Sequence, residues 1–111
     1  MSTGDLSARQ CKPYTGGVQP LRGDALEMVR SQLGKDWQAV KEHHLEKEFT
    51  FDDFAQALEF TNRIGQLAEE QNHHPDIKLT YGKVLVRLWT NAVDGLTDND
   101  FIMAAKIDDL Q

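Results

Sequence analysis

The chain has little that would hold it in an oxidising compartment or in a membrane. Cys11 is the only cysteine among 111 residues, so no disulfide is expected within the chain and a reducing, cytoplasmic setting fits best. No apolar run approaches the ~20 residues that would span a bilayer. The opening stretch MSTGDLSARQ is polar and has no apolar h-region, so a secretory signal is not expected. Basic residues are also in deficit: 12 Lys and Arg against 18 Asp and Glu leave a net charge of −6. That balance argues against nucleic acid as the main partner. No internal repeat or low-complexity tract is present. What remains is a length suited to one domain with a modest core.

Residues 1–20, MSTGDLSARQCKPYTGGVQP, mix Gly, Pro and Ser without a hydrophobic period. They predict an extended, loosely ordered N-terminal arm ahead of a folded domain at 21–111. GDALEMVRSQLG places Leu26, Val29 and Leu33 at helical spacing, with Asp24 as N-cap and Gly34 as stop. WQAV and LEKEFTF predict two short strands; in the second, Leu45, Phe49 and Phe51 alternate with Glu46, Glu48 and Thr50. TFDDFAQALEFTNRIGQLAEEQN predicts the longest helix, entered through a capping box of Thr50 and Asp53. Its inward stripe would be Phe54, Leu58, Thr61, Ile64, Leu67 and Ala68. Pro75 stops it and disfavours helical backbone at His74. DIKLTYGKVLVRLWT predicts two more strands around Tyr81-Gly82-Lys83, with Val84, Val86 and Leu88 opposed to Leu85, Arg87 and Trp89. LTDNDFIMAAKIDDL opens on a second capping box, Thr97 with Asp100, and continues as a helix offering Phe101, Ala104, Ala105 and Ile107 for packing. This order predicts an α+β fold: a four-stranded antiparallel sheet with helices on one face.

Two histidine doublets stand out, His43-His44 and His73-His74. The first falls between two strands and reads as solvated turn residues. The second lies where the long helix ends. Adjacent helical side chains diverge by about 100°, whereas metal-binding histidine pairs use i,i+4 spacing, so a metal site is not expected at either doublet. No cysteine or third histidine stands at a ligand spacing, and Cys11 lies in the arm. Proton transfer suits His73-His74 better, because imidazole titrates near neutral pH. The residues alone favour the plainer role of polar groups at a helix C-terminus, where the dipole welcomes them.

Beyond periodicity, EEQNHHPDI, then Tyr81, VLVRLWTN and GLTDND, closely resemble the pterin-4a-carbinolamine dehydratase family. The likeness runs from about Leu21 to Leu110 and includes Trp37, the FTFDDF entry to the long helix and the AAKID ending. It implies the α+β fold above, assembled as homodimers or homotetramers. The activity it implies is loss of water from a 4a-hydroxytetrahydropterin to give quinonoid dihydropterin, without cofactor or metal. His73 and His74 would take the family's catalytic and substrate-binding histidine positions, with Pro75 beside them and Glu69 and Asp100 in support. Asn91, after Thr90, stands where the family has a third histidine. An amide imitates one face of imidazole but exchanges no proton near neutral pH. Since a positioned acid or base contributes ~10²–10⁴-fold, this departure would cripple turnover without removing pterin binding.

The damaged set resembles the family's branch of pterin-dehydratase-like Rubisco assembly factors of the α-carboxysome. An assembly protein, chaperone-like and with Rubisco subunits as partner, is therefore the leading expectation; it would be cytoplasmic and carboxysome-associated. Leu85, Arg87 and Trp89, on the sheet face away from the helices, are its expected contact surface. An active pterin-4a-carbinolamine dehydratase is the alternative. A transcriptional coactivator, as in some animal relatives, finds no support in the residues. No membrane partner is expected.

Overall fold

Alternation in four strands lays out the sheet. A computed structural model describes residues 4–34 and 36–111. Strand β1 (Gln38–Val40) pairs with β2 (His44–Thr50), while β4 (Lys83–Leu88) lies between β2 and β3 (Asp76–Thr80). All pairings are antiparallel, in the order β1-β2-β4-β3. The register sets Leu45 against Leu88, Phe49 against Val84 and Ile77 against Val86. Leu45, Phe49, Val84, Val86 and Leu88 are buried on the face that meets the helices, as the alternating pattern predicts. That face is covered by α3 (Phe54–Gln71) and α4 (Asp98–Asp108), with α2 (Gly23–Arg30) packed on α4. Among the described residues no helix is long and apolar enough to cross a membrane.

Packing against β2 sets the rotation of α3. Phe60 stacks on Phe49 and Phe51 with ring centroids 4.8 and 5.1 Å apart, so Ala57, Phe60, Ile64 and Ala68 form the buried stripe. Phe54 and Leu58, expected inside, are 43% and 40% exposed. The Thr61 hydroxyl turns back onto the Ala57 carbonyl at 2.9 Å. The helix also starts later than expected. Thr50 is the last residue of β2, and Asp53 is the N-cap, accepting from the Gln56 N–H at 2.9 Å.

The other entry points divide. At α2, Arg22 holds the N-cap position without a side-chain bond, and Asp24 lies in the first turn rather than capping it. That helix ends at Arg30, ahead of Gly34, yet Leu33 still reaches the core from the turn that follows. At α4 the predicted capping box forms, with the Thr97 N–H donating to Asp100 Oδ2 at 3.0 Å. Trp37, wholly buried, donates its indole N–H to Asp108 at the far end of α4, 3.0 Å from Oδ2.

The hairpin between β1 and β2 turns at Lys41-Glu42, both at positive φ (53° and 55°), with the His43 N–H bonded to the Val40 carbonyl. This is the turn geometry that Asn-Gly would favour, and neither residue here announces it. Consequently only His43 lies in the turn; His44 is the first residue of β2, a correction to the expected placement of both. Between β3 and β4 the connection is tighter. A Cβ at Gly82 would sit 2.9 Å from the Phe51 carbonyl oxygen, so that close approach admits glycine alone.

Within the arm, residues 4–7 form a short helix, α1 (Gly4–Ser7), and Leu6 is 1% exposed in the core. Lys106 of α4 donates to the Ser7 carbonyl at 2.7 Å. The described part of the arm is therefore packed on α4 rather than loosely ordered, because α4 presents apolar side chains on nearly every side: Phe101, Ile102, Met103, Ala104, Ala105 and Ile107 are all buried. Burying Phe101, Ile102, Met103 and Ile107 stabilises by about 1.5–3 kcal/mol each.

Candidate functional site: a histidine doublet held by two carboxylates

The site begins where α3 ends. Asn72 adopts the left-handed conformation (φ 52°) and caps the helix, its N–H returning to the Ala68 carbonyl. Asn is the residue other than glycine that enters this region most readily. The His73 N–H bonds to the same carbonyl at 3.3 Å, and Pro75 leads straight into β3. His73 and His74 are thus fixed just outside the helix, as the position of Pro75 predicts.

Each histidine has its own carboxylate. His73 Nε2 lies 2.6 Å from Asp100 Oδ1. The other oxygen of Asp100 accepts from the Thr90 hydroxyl at 2.9 Å and the Thr97 N–H at 3.0 Å. The Thr97 hydroxyl lies 2.7 Å from that of Thr90, so the polar cluster is closed. Asp100 is completely buried, and three donors compensate its burial. One side chain therefore completes the capping box of α4 and anchors His73. With its Nε2–H donated to a carboxylate, His73 keeps Nδ1 as the nitrogen that can take a proton.

His74 Nε2 meets Glu69 Oε2 at 2.5 Å, across the end of α3. Here both side chains are largely exposed, 54% and 79%. Such a pair contributes about 0–1 kcal/mol to stability, so its value lies in orientation. The two imidazoles differ in their access to water: the His73 side chain is 10% exposed, the His74 side chain 54%.

Both open onto a cavity of about 290 Å³. That is the small end of the range for ligand sites, about 300–1,000 Å³. Trp89, Thr90, Asn91 and Ala92 line it from the end of β4 and the 3-10 turn Asn91–Val93. Asn72 and Asn99 line it from the ends of α3 and α4. Lys12, Pro13 and Tyr14 complete the wall, a contribution that no spacing rule marked because the arm has no period. Burial first, then the charge of Asp98, push the Tyr14 phenol above its ordinary value, so it remains a donor at neutral pH. Burial likewise raises the Cys11 thiol to about 11, which leaves it unreactive near neutral pH. Among the described residues no three His, Cys, Asp or Glu side chains gather to hold a metal ion.

The other doublet has different company. His43 and His44 face each other through Nδ1 atoms 3.1 Å apart and pack on Trp89 at 5.6 and 6.1 Å. His43 Nε2 pairs at 2.9 Å with Asp94, a side chain 90% exposed. Burial, then the neighbouring His43, hold the His44 pKa below its ordinary 6.5, with Glu46 opposing.

The outer sheet face does not form the apolar surface expected of Leu85, Arg87 and Trp89. Arg87 pairs with Glu46 at 3.0 Å and Lys83 with Glu48 at 3.8 Å, while Lys78 lies opposite Leu85. The neighbouring strands bring charged residues to the same side, and they outnumber Leu85. A shallow concavity of about 500 Å³ there includes Leu85 and Arg87, but Trp89 lines the histidine cavity instead.

Comparison with known proteins agrees with this fold. The model of the pterin 4 alpha carbinolamine dehydratase family matches residues 19–110. The chain belongs to that family. A protein of Rubrobacter xylanophilus, named "Putative pterin-4-alpha-carbinolamine dehydratase", is 49% identical over 106 residues, covering 96% of this chain and 98% of its own. A relative of the same name from Alkaliphilus metalliredigens is 46% identical over 107 residues, 96% of each chain. Matches of that length leave too few residues uncovered to omit the arm.

Among solved structures, a transcriptional coactivator/pterin dehydratase from Brucella melitensis superposes with a TM-score of 0.77 at 29% identity. It covers 83% of this chain and 98% of that one. A pterin dehydratase-like protein described as a RuBisCO assembly factor in the alpha-carboxysome superposes with a TM-score of 0.57, also at 29% identity. It covers 67% of this chain and 84% of that one.

Proposed function

We propose that the chain dehydrates a 4a-hydroxytetrahydropterin, with His73 and His74 as its two proton carriers and Asn91 as a non-titrating contact. The observation that carries this reading is that each histidine is oriented by its own carboxylate on the wall of one cavity. Asp100 serves the capping box of α4 through one oxygen and holds His73 with the other. The reaction breaks the C4a–O bond, with a proton delivered to the leaving hydroxyl, and removes the proton on the ring nitrogen N5. His73, whose Nε2–H is fixed on Asp100, is the base at Nδ1. His74, open to water beside Glu69, is the acid that recharges from solvent. The relatives named as dehydratases add support.

Turnover measured against the spontaneous reaction tests the reading. Wild type should exceed the spontaneous rate while remaining slow. Asn91→His should raise it by ~10²-fold or more, since it restores a titrating group at the cavity. The gain should vanish in a His73→Ala background, because both groups serve one reaction. A wild type no faster than the spontaneous reaction, unchanged by Asn91→His, would overturn it.

A second reading, assistance to Rubisco assembly, draws on the likeness to the α-carboxysome assembly factor. It expects a higher yield of assembled Rubisco on co-expression. Either function would be carried by a homodimer or homotetramer, which light scattering at micromolar concentration can detect.

A further inference from the structure

We infer that Lys12 and Tyr14 of the N-terminal arm bind the pterin in the cavity, and that Asn99 positions them. This rests on the dehydratase reading of the same site. Lys12 and Tyr14 lie outside residues 19–110, the span that the family model matches. Yet three residues of the arm line the cavity that holds His73 and His74.

Its placement is fixed by a reciprocal pair of hydrogen bonds. The Lys12 N–H donates to Asn99 Oδ1 at 3.0 Å, and Asn99 Nδ2 donates to the Lys12 carbonyl at 2.6 Å. Asn99, itself buried, thus reads the backbone of the arm as a strand partner would. One residue earlier, the Cys11 N–H donates to the Gln71 side chain of α3 at 2.9 Å. Further on, the arm closes over the turn that carries Asn91. A Cβ at Gly16 would lie 3.2 Å from the Ala92 carbonyl oxygen, and the Leu21 N–H bonds to the Leu96 carbonyl at 2.8 Å. The arm is pinned on both sides of Lys12–Tyr14.

The two side chains offer what a flat heterocycle with a polar edge requires. Tyr14 supplies an aromatic wall and a phenol that stays protonated at neutral pH. Lys12 is the one permanently charged residue lining the cavity, and among the described residues it has no carboxylate partner. Its ammonium rests over the Tyr14 ring, 5.5 Å from the centroid. A ligand oxygen, the pterin carbonyl or an anionic substituent on the ring, would draw it from that position into a charge-assisted hydrogen bond.

The experiment compares the full-length wild type with Lys12→Met, Tyr14→Ala and Asn99→Ala. It measures kcat and KM for the 4a-hydroxytetrahydropterin and the Kd of a stable 7,8-dihydropterin. Lys12→Met should raise KM and Kd by about tenfold, the loss expected for one charge-assisted bond, with kcat within about twofold. Tyr14→Ala should behave alike. Asn99→Ala should raise KM to a similar extent, because it releases the backbone of Lys12 from α4. Lys12 and Tyr14 are not part of the core, so their variants should fold. A wild type that turns over pterin, with KM unmoved in both Lys12→Met and Tyr14→Ala, overturns the inference and spares the dehydratase reading. A wild type that neither binds nor turns over pterin overturns both.

Discussion

The chain contains the same dipeptide twice, and the two copies live in opposite surroundings. His73-His74 straddles a helix end, and each ring is held by a carboxylate from a separate position in the chain, Asp100 and Glu69. His43-His44 straddles a hairpin, and its rings contact each other, Trp89 and the exposed Asp94. A histidine acquires chemistry when something immobile sets its tautomer. Asp100 is immobile because it is buried and has two further donors to satisfy. Asp94, on a short turn and open to water, fixes nothing comparable, and Glu69 is 79% exposed, so the contrast rests on His73.

The strongest way to break this contrast is to remove Asp100. Asp100→Ala leaves the Thr97 N–H and His73 without their buried acceptor and removes one half of the capping box of α4. Losing a cap costs about 0.5–2 kcal/mol and a buried unpaired polar group about 1–3, so roughly 3 kcal/mol is expected in denaturant unfolding. Pterin turnover should fall to the spontaneous rate. A loss below about 1 kcal/mol would mean that water replaces the carboxylate easily and that His73 is not held as described.

Changing the other doublet should do far less. His43→Gln with His44→Gln keeps polar side chains beside Trp89 while removing both titrating groups. Pterin turnover should stay within about twofold, because neither ring lines the cavity. Stability should drop by no more than about 1 kcal/mol, through lost packing on Trp89. A tenfold loss of turnover would show that the hairpin positions Trp89 or the Asn91 turn for the reaction, and the contrast would fail.

The smallest effect is one of pH. The folded-state pKa of His44 lies below its ordinary 6.5, so the unfolded chain takes up that proton first. Stability is therefore lost as pH falls from about 6.5 through the lowered value, and His44 contributes no change above that window. Unfolding midpoints between pH 7.5 and 5 should decline less steeply in His44→Gln than in wild type. Identical slopes would mean that Glu46 offsets the burial of the ring.

Much of the architecture was legible because it is written in local periods. Val84, Val86 and Leu88 alternate with Leu85 and Arg87, and that alternation alone assigns the two faces of β4. Thr97 and Asp100 announce the start of α4, and Pro75 announces the end of α3, because caps and proline act over three or four residues. The rotation of α3 was misjudged for the converse reason. Phe54 and Leu58 fit a helical stripe as well as Ala57 and Phe60 do, and only the aromatic contacts from β2 choose between them.

The sequence by itself determined that the chain forms an α+β fold with an antiparallel sheet and that one histidine doublet lies just past a long helix. Tertiary structure alone decided what His73 faces. Asp100 lies 27 positions beyond His73, and their 2.6 Å contact exists because the sheet brings the end of α3 beside the start of α4. Asn99 meets Lys12 across 87 positions, which turns a stretch without periodicity into a wall of the cavity. No local pattern encodes such meetings, because a hydrogen bond between distant residues follows from how whole elements pack and leaves no spacing to read.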